Sequence, residues 1–224
     1  MNQKKYKRED FARACELYEE WNAKINVISR KDIDSVFEHH FLHSFSIFEY
    51  LISRGESTEG LDILDVGTGG GFPGVPLAMI MPSCRFTLCD SIGKKVKVAQ
   101  SVSDGLGLKN VTCVNARAES LEGEYDYVVS RAVTSLVNFY PWVKGKYKKS
   151  ILYLKGGDVL EEISELCRKF GLSASQITAW PISNWLSDEY FDEKFPTMEA
   201  TFGGDIVDAD DDGKVAIMCY DIDE

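Results

Sequence analysis

Leu64-Asp65-Val66-Gly67-Thr68-Gly69-Gly70-Gly71-Phe72-Pro73-Gly74 is the stretch on which the fold turns. Leu61–Val66 is a short apolar run of the kind that forms a strand buried on both faces. Five glycines then fall within eight residues, 67–74, where a chain leaving a strand must turn sharply and approach a neighbour or ligand closely. Gly74–Met81 resumes as a helix, with Pro76 suited to its first turn. Strand, glycine turn and helix in that order open a βαβ unit whose ligand crevice lies at the carboxyl end of the strand.

The alternation continues on both sides. Residues 9–27 and 32–53 carry helical apolar stripes, the second with Asp32 as N-cap. Arg85–Cys89, Val111–Val114, Tyr125–Ser130 and Ile151–Leu154 read as strands. Between them Lys94–Leu106 and Leu136–Val143 read as helices, and Val159–Phe170 follows as a helix closed by Gly171. Right-handed crossovers then give an α/β fold: a mostly parallel twisted sheet with helices on both faces. Residues 1–55 are expected as an N-terminal helical extension packed on a main domain of residues 56–224. Ile177–Ile182 and Val215–Tyr220 are expected as antiparallel additions at the sheet edge.

Gly69-x-Gly71-x-x-Gly74 also matches a dinucleotide fingerprint, weakly when taken alone. Two details favour an adenosyl ligand without a diphosphate. Asp65, just before the turn, suits a cationic ligand better than a pyrophosphate. Pro73 removes a backbone N–H that a phosphate would want. Asp90, 25 residues on at the end of the second strand, is placed to accept ribose hydroxyls. Ala118, Arg131 and Lys155 follow the third, fourth and fifth strands at the same edge, with Ala118 expected against an adenine and the two cations nearer a reacting end.

Composition is that of an ordinary globular chain: 224 residues, 44% hydrophobic and 27% charged. No apolar run approaches the ~18 residues of a membrane span, and the basic start has no apolar segment behind it to act as a signal peptide. The formal charge of −11 sits entirely in residues 187–224, where thirteen acids face Lys194 and Lys214, leaving the rest neutral. A neutral body with local basic patches is compatible with nucleic acid, whereas the acidic segment is expected to repel it. Lys94, Lys95 and Lys97, with Lys144, Lys146, Lys148 and Lys149, are candidates for phosphate contacts. The six cysteines form no CxxC pair and read as reduced packed thiols. His39, His40 and His43 share a helical neighbourhood without a third external ligand, and Asp208-x-Asp210-x-Asp212-Gly213 has Cys219 where a calcium loop needs glutamate. No metal is expected.

Glu20–Val27, His40–Ser44, Asp65–Pro76, Asp90–Val96, Arg117–Glu119, Ser130–Ala132 and Leu154–Gly156 occur in order across well over half of the chain. In them the sequence resembles the bacterial small-subunit rRNA guanine-N7 methyltransferases, the RsmG or glucose-inhibited division protein B family. The joined Gly-Phe-Pro-Gly and Asp-Ser-x-Gly-Lys-Lys motifs are the specific part. The resemblance implies a Rossmann-like class I methyltransferase, S-adenosylmethionine (SAM) as cofactor, and cofactor contacts at Gly67, Phe72, Ala118, Glu119 and Arg131. It further implies 16S rRNA or the small ribosomal subunit as partner; a cytoplasmic location, no membrane and a monomer are expected as well. His43 stands where the family commonly has an acid, and the likeness fades after about residue 171. Other readings stay open: a SAM-dependent methyltransferase on another RNA or a small molecule, a NAD-binding oxidoreductase, or a SAM-binding assembly protein without turnover.

The candidate site is therefore Asp65, Gly67, Gly69, Gly71, Phe72, Asp90, Ala118, Glu119 and Arg131 for the cofactor, with Lys94, Lys95 and Lys155 for RNA.

Overall fold

The apolar run predicted as the first strand is apolar because both of its faces are covered. In a computed structural model describing residues 6–29, 32–156, 159–181 and 214–219, β1 (Asp62–Val66) sends Ile63 into one hydrophobic cluster and Leu64 and Val66 into another. The same alternation recurs in β4 (Tyr125–Arg131), with Tyr127 and Val129 on one side and Val128 on the other. In β5 (Tyr147–Lys155), Leu152 and Leu154 oppose Ile151 and Tyr153. Strands with a two-residue period and two buried faces belong at the centre of a three-layer α/β sandwich.

The remaining strands are β2 (Arg85–Asp90), β3 (Val111–Asn115), β6 (Ile177–Pro181) and β7 (Lys214–Cys219). Their order is β3-β2-β1-β4-β5-β7-β6, and every pairing is parallel. The antiparallel edge expected from the sequence is thus corrected: β7 runs parallel to both β5 and β6. Residues 182–213 separate β6 from β7, enough chain for the crossover that a parallel pair requires. The acidic Asp208–Gly213 run, and all but the β7 residues of the charged segment, lie outside the described residues.

Helices α1 (Ala12–Asn22), α2 (His43–Ser53), α3 (Gly74–Ile80) and α4 (Gly93–Gly105) cover one face. Helices α5 (Leu136–Val143) and α6 (Val159–Phe170) cover the other. The N-terminal segment shares a core with the sheet, since Phe11, Tyr18, Phe41 and Phe45 belong to the cluster containing Phe72 and Leu88. Two expected helices are modified. The first stops at Asn22, whose side chain accepts from the Val27 and Ile28 amides (2.8 and 2.9 Å) and donates to the Ile28 carbonyl, folding the chain back. The second is a 3₁₀ turn (Ile33–Ser35), then a π-helical turn (Phe37–Leu42), then α2.

Candidate functional site

Where the order of crossovers reverses, between β1 and β4, the carboxyl ends of the strands open a crevice. A cavity of about 480 Å³ occupies it. Its walls come from the glycine loop, the β2–α4 turn, the segment after β3, the end of β4 and, from the extension, Val27.

The loop is held from below. Asp65 is fully buried, and its Oδ2 accepts from Thr68 Oγ1 (2.6 Å) and from the amide of Gly74 at the start of α3 (2.8 Å). Burial pushes its carboxyl up to about 7. Asp65 does not line the cavity, which corrects its assignment as a cofactor contact: the acid ties the turn to the helix. Gly71 is corrected likewise. Its φ is +117°, and a Cβ there would meet Val75 Cγ2 at 2.6 Å and Tyr18 Oη at 2.8 Å, so this glycine admits the extension and not a ligand. Gly69 differs. Its φ is +58°, and a Cβ would meet nothing within 4 Å, although the residue lines the cavity. The space that side chain would take is left to whatever enters.

Asp90, at the end of β2, is 8% exposed. Its Oδ2 accepts from the Gly69 amide (2.9 Å) and its Oδ1 from the Ile92 amide (2.8 Å). The carboxylate thereby joins the glycine loop to the start of α4, while each oxygen keeps a second lone pair. Gly67, Phe72, Ala118, Glu119 and Arg131 also line the cavity, as does Lys95. Lys94 does not, and stands exposed one residue away.

Phe72 is 4% exposed and stacks on Tyr18, with ring centroids 4.4 Å apart. Arg131 lies over its ring at 5.3 Å. The guanidinium donates through Nη2 to His40 Nδ1 and through Nη1 to the His39 carbonyl (3.2 Å). Burial, with Arg131 second, pushes His40 down to about 3 and His43 to about 4, so both rings are neutral at neutral pH. Among the described residues no three His, Cys, Asp or Glu side chains come together as a metal set.

Lys155 requires correction. It is 16% exposed, pairs with Glu162 Oε1 at 3.0 Å and reaches the Thr134 carbonyl. The other Glu162 oxygen accepts from the Leu136 amide at the start of α5 (2.9 Å), and Tyr153 Oη accepts from the Val133 and Thr134 amides. Lys155 therefore braces the β4–α5 loop, and its anion is a protein carboxylate. Neither Lys146 nor Lys149 lines the cavity: Lys146 donates to the Leu121 and Glu119 carbonyls, and Lys149 pairs with Glu56 (2.7 Å). Sequence reasoning missed Val27, Thr68, Ile92, Val133 and Trp142, all of which line the cavity. Ile92, 42% exposed although apolar, was the detectable one, by its place beside Asp90.

A parallel sheet with a glycine loop after β1, and an acid at the end of β2 facing the same crevice, defines a Rossmann-like α/β architecture. A solved magnesium protoporphyrin IX methyltransferase from Synechocystis PCC 6803 shares the fold, with a TM-score of 0.54 at 18% identity over 74% of this chain and 82% of that one. The family model for rRNA small subunit methyltransferase G matches residues 7–183. Ribosomal RNA small subunit methyltransferase G of Christiangramia forsetii is 52% identical, covering 69% of this chain and 75% of its own. That of Flavobacterium johnsoniae is 46% identical, covering 83% and 87%. The chain belongs to the rRNA small subunit methyltransferase G family.

Proposed function

We propose that the protein transfers a methyl group from SAM to N7 of a guanine in 16S rRNA, in the cytoplasm. Membership of the family carries the reading, and the cavity fits the cofactor it requires. Asp90 retains acceptor capacity for ribose hydroxyls, Gly69 leaves room at the loop, and Ala118 and Ile92 offer apolar surface to an adenine. Arg131 presents a cation to the carboxylate of the methionine portion. When bound, SAM supplies an electrophilic methyl carbon on a sulfonium.

Guanine N7 carries a lone pair and no hydrogen, so no side chain has to remove a proton. The residues act by holding the reacting atoms in line and by excluding water. The A-form major groove is too narrow for side chains, so the target guanine must be presented from an opened or single-stranded site. Lys94 and Lys95, at the start of α4 beside the cavity, are the cations placed to hold its flanking phosphates. No helix among the described residues is long and apolar enough to cross a membrane.

The deciding experiment incubates the protein and labelled SAM with small ribosomal subunits and with free 16S rRNA, followed by nuclease digestion and mass mapping. A single 7-methylguanosine is expected. A folded, SAM-binding protein that methylates another position, or nothing, would overturn the assignment.

A further inference from the structure

His40 is placed at a cost that its packing alone does not explain. It sits in the π-helical turn Phe37–Leu42, a rare backbone form that collects at functional sites. Its ring is 9% exposed and packs on Phe72 at 4.9 Å. Nδ1 takes the Arg131 hydrogen bond, so the ring proton lies on Nε2, and Nε2 is buried with no partner among the described residues. A buried unpaired N–H is costly, because it has lost its hydrogen bond to water and gained none. A phenylalanine would fill the same space without that penalty, which leaves the contact with Arg131 as the return.

Three restraints from the described residues converge on that guanidinium: His40 Nδ1, the His39 carbonyl and the face of Phe72. Two of them are supplied by the N-terminal extension. His40 is neutral, so it orients the group without cancelling its charge, as a carboxylate in its place would. Among the described residues, His43 is neutral too, Asp32 pairs with His39 at the surface, and the buried Asp65 and Tyr18 feel the Arg131 charge.

We propose that His40 is a positioning residue: it fixes the Arg131 guanidinium at the cavity wall to receive the carboxylate of the cofactor's methionine portion. The proposal rests on the cofactor reading above.

The test compares His40→Asn, whose Oδ1 reproduces an acceptor near the Nδ1 position, with His40→Phe, which keeps the packing and removes the acceptor. Affinities are measured by calorimetry for SAM and for 5′-methylthioadenosine, which lacks the amino-acid portion, at a temperature where melting curves show each variant folded. His40→Phe is expected to weaken SAM about tenfold while leaving methylthioadenosine within about twofold. His40→Asn is expected to recover most of the SAM affinity. In an Arg131→Gln background the two substitutions should become equivalent. If His40→Phe does not fold, His40→Gln, whose acceptor lies one bond further out, replaces it with the same expectation. Equal weakening of both ligands, an unchanged ratio, or an Asn variant no better than Phe would each overturn the role of His40. A wild-type protein that binds neither ligand would instead overturn the cofactor reading, and the proposal with it.

Discussion

Replacing Asp65 separates two roles that look identical in sequence, a ligand contact and a loop anchor. The carboxylate accepts from Thr68 Oγ1 and the Gly74 amide, both buried, and does not reach the cavity. Asp65→Ala leaves both donors unpaired at about 1–3 kcal/mol each, so a stability loss of about 2–6 kcal/mol is expected. Asp65→Asn keeps a carbonyl acceptor in the same place, so a loss below about 1 kcal/mol is expected near pH 5. The pH dependence sharpens the contrast. Burial raises the folded carboxyl to about 7, above its unfolded value. The stability it contributes is thus fully present below the unfolded pKa and is lost as pH rises through 7. From pH 5 to 8 the wild type should lose about 2.5 kcal/mol relative to Asp65→Asn, whose amide does not titrate. Urea denaturation at several pH values reads all three quantities, with unchanged m-values establishing comparable transitions. Calorimetry should find SAM affinity in Asp65→Asn within about threefold of wild type. An Asp65→Ala protein of wild-type stability that has lost SAM would refute the reasoning, because the carboxylate would then face the ligand.

Gly74→Ala would place a Cβ 2.1 Å from Leu88 Cδ2 and should destabilise by about 1–3 kcal/mol or more, whereas Gly69→Ala meets no atom within 4 Å and should cost only the ~1–2 kcal/mol of its left-handed backbone while weakening SAM; melting curves and calorimetry on the pair check this. Lys155→Met should lower stability by about 1–2 kcal/mol through the loss of its partly buried ion pair with Glu162, with a Glu162→Gln cycle measuring the coupling. The salt slope of RNA binding should not change in Lys155→Met, whereas loss of a phosphate contact would shift it by about 0.7–0.9. His40 has a folded pKa pushed below its unfolded value, so its stabilising contribution is present above about 6.5 and is lost as pH falls toward its folded value of about 3. Between pH 7 and 4.5 the wild type should therefore lose about 1–3 kcal/mol relative to His40→Asn, as denaturation at each pH will report.

The central strands β1 to β5 were legible in the sequence because their information is local. Glycines after Val66, apolar runs of strand length and helical stripes between them follow from backbone sterics and burial on two faces, and they place Gly69, Asp90, Ala118 and Arg131 at one edge without further input. The family resemblance rested on equally local motifs. What a side chain faces is not local. Asp65 and Gly71 sit in the same loop as Gly69, yet one points under the turn and the other admits Tyr18. Lys155 follows its strand as Arg131 does, yet Glu162, from the next helix, captures it. The direction of β7, the end of α1 at Asn22 and the meeting of His40 with Arg131, 91 positions apart, depend on partners distant in sequence. Local propensity decides that a strand ends and a turn begins, whereas the packing of remote elements around a buried polar group decides whether that group meets a ligand, a helix terminus or another side chain.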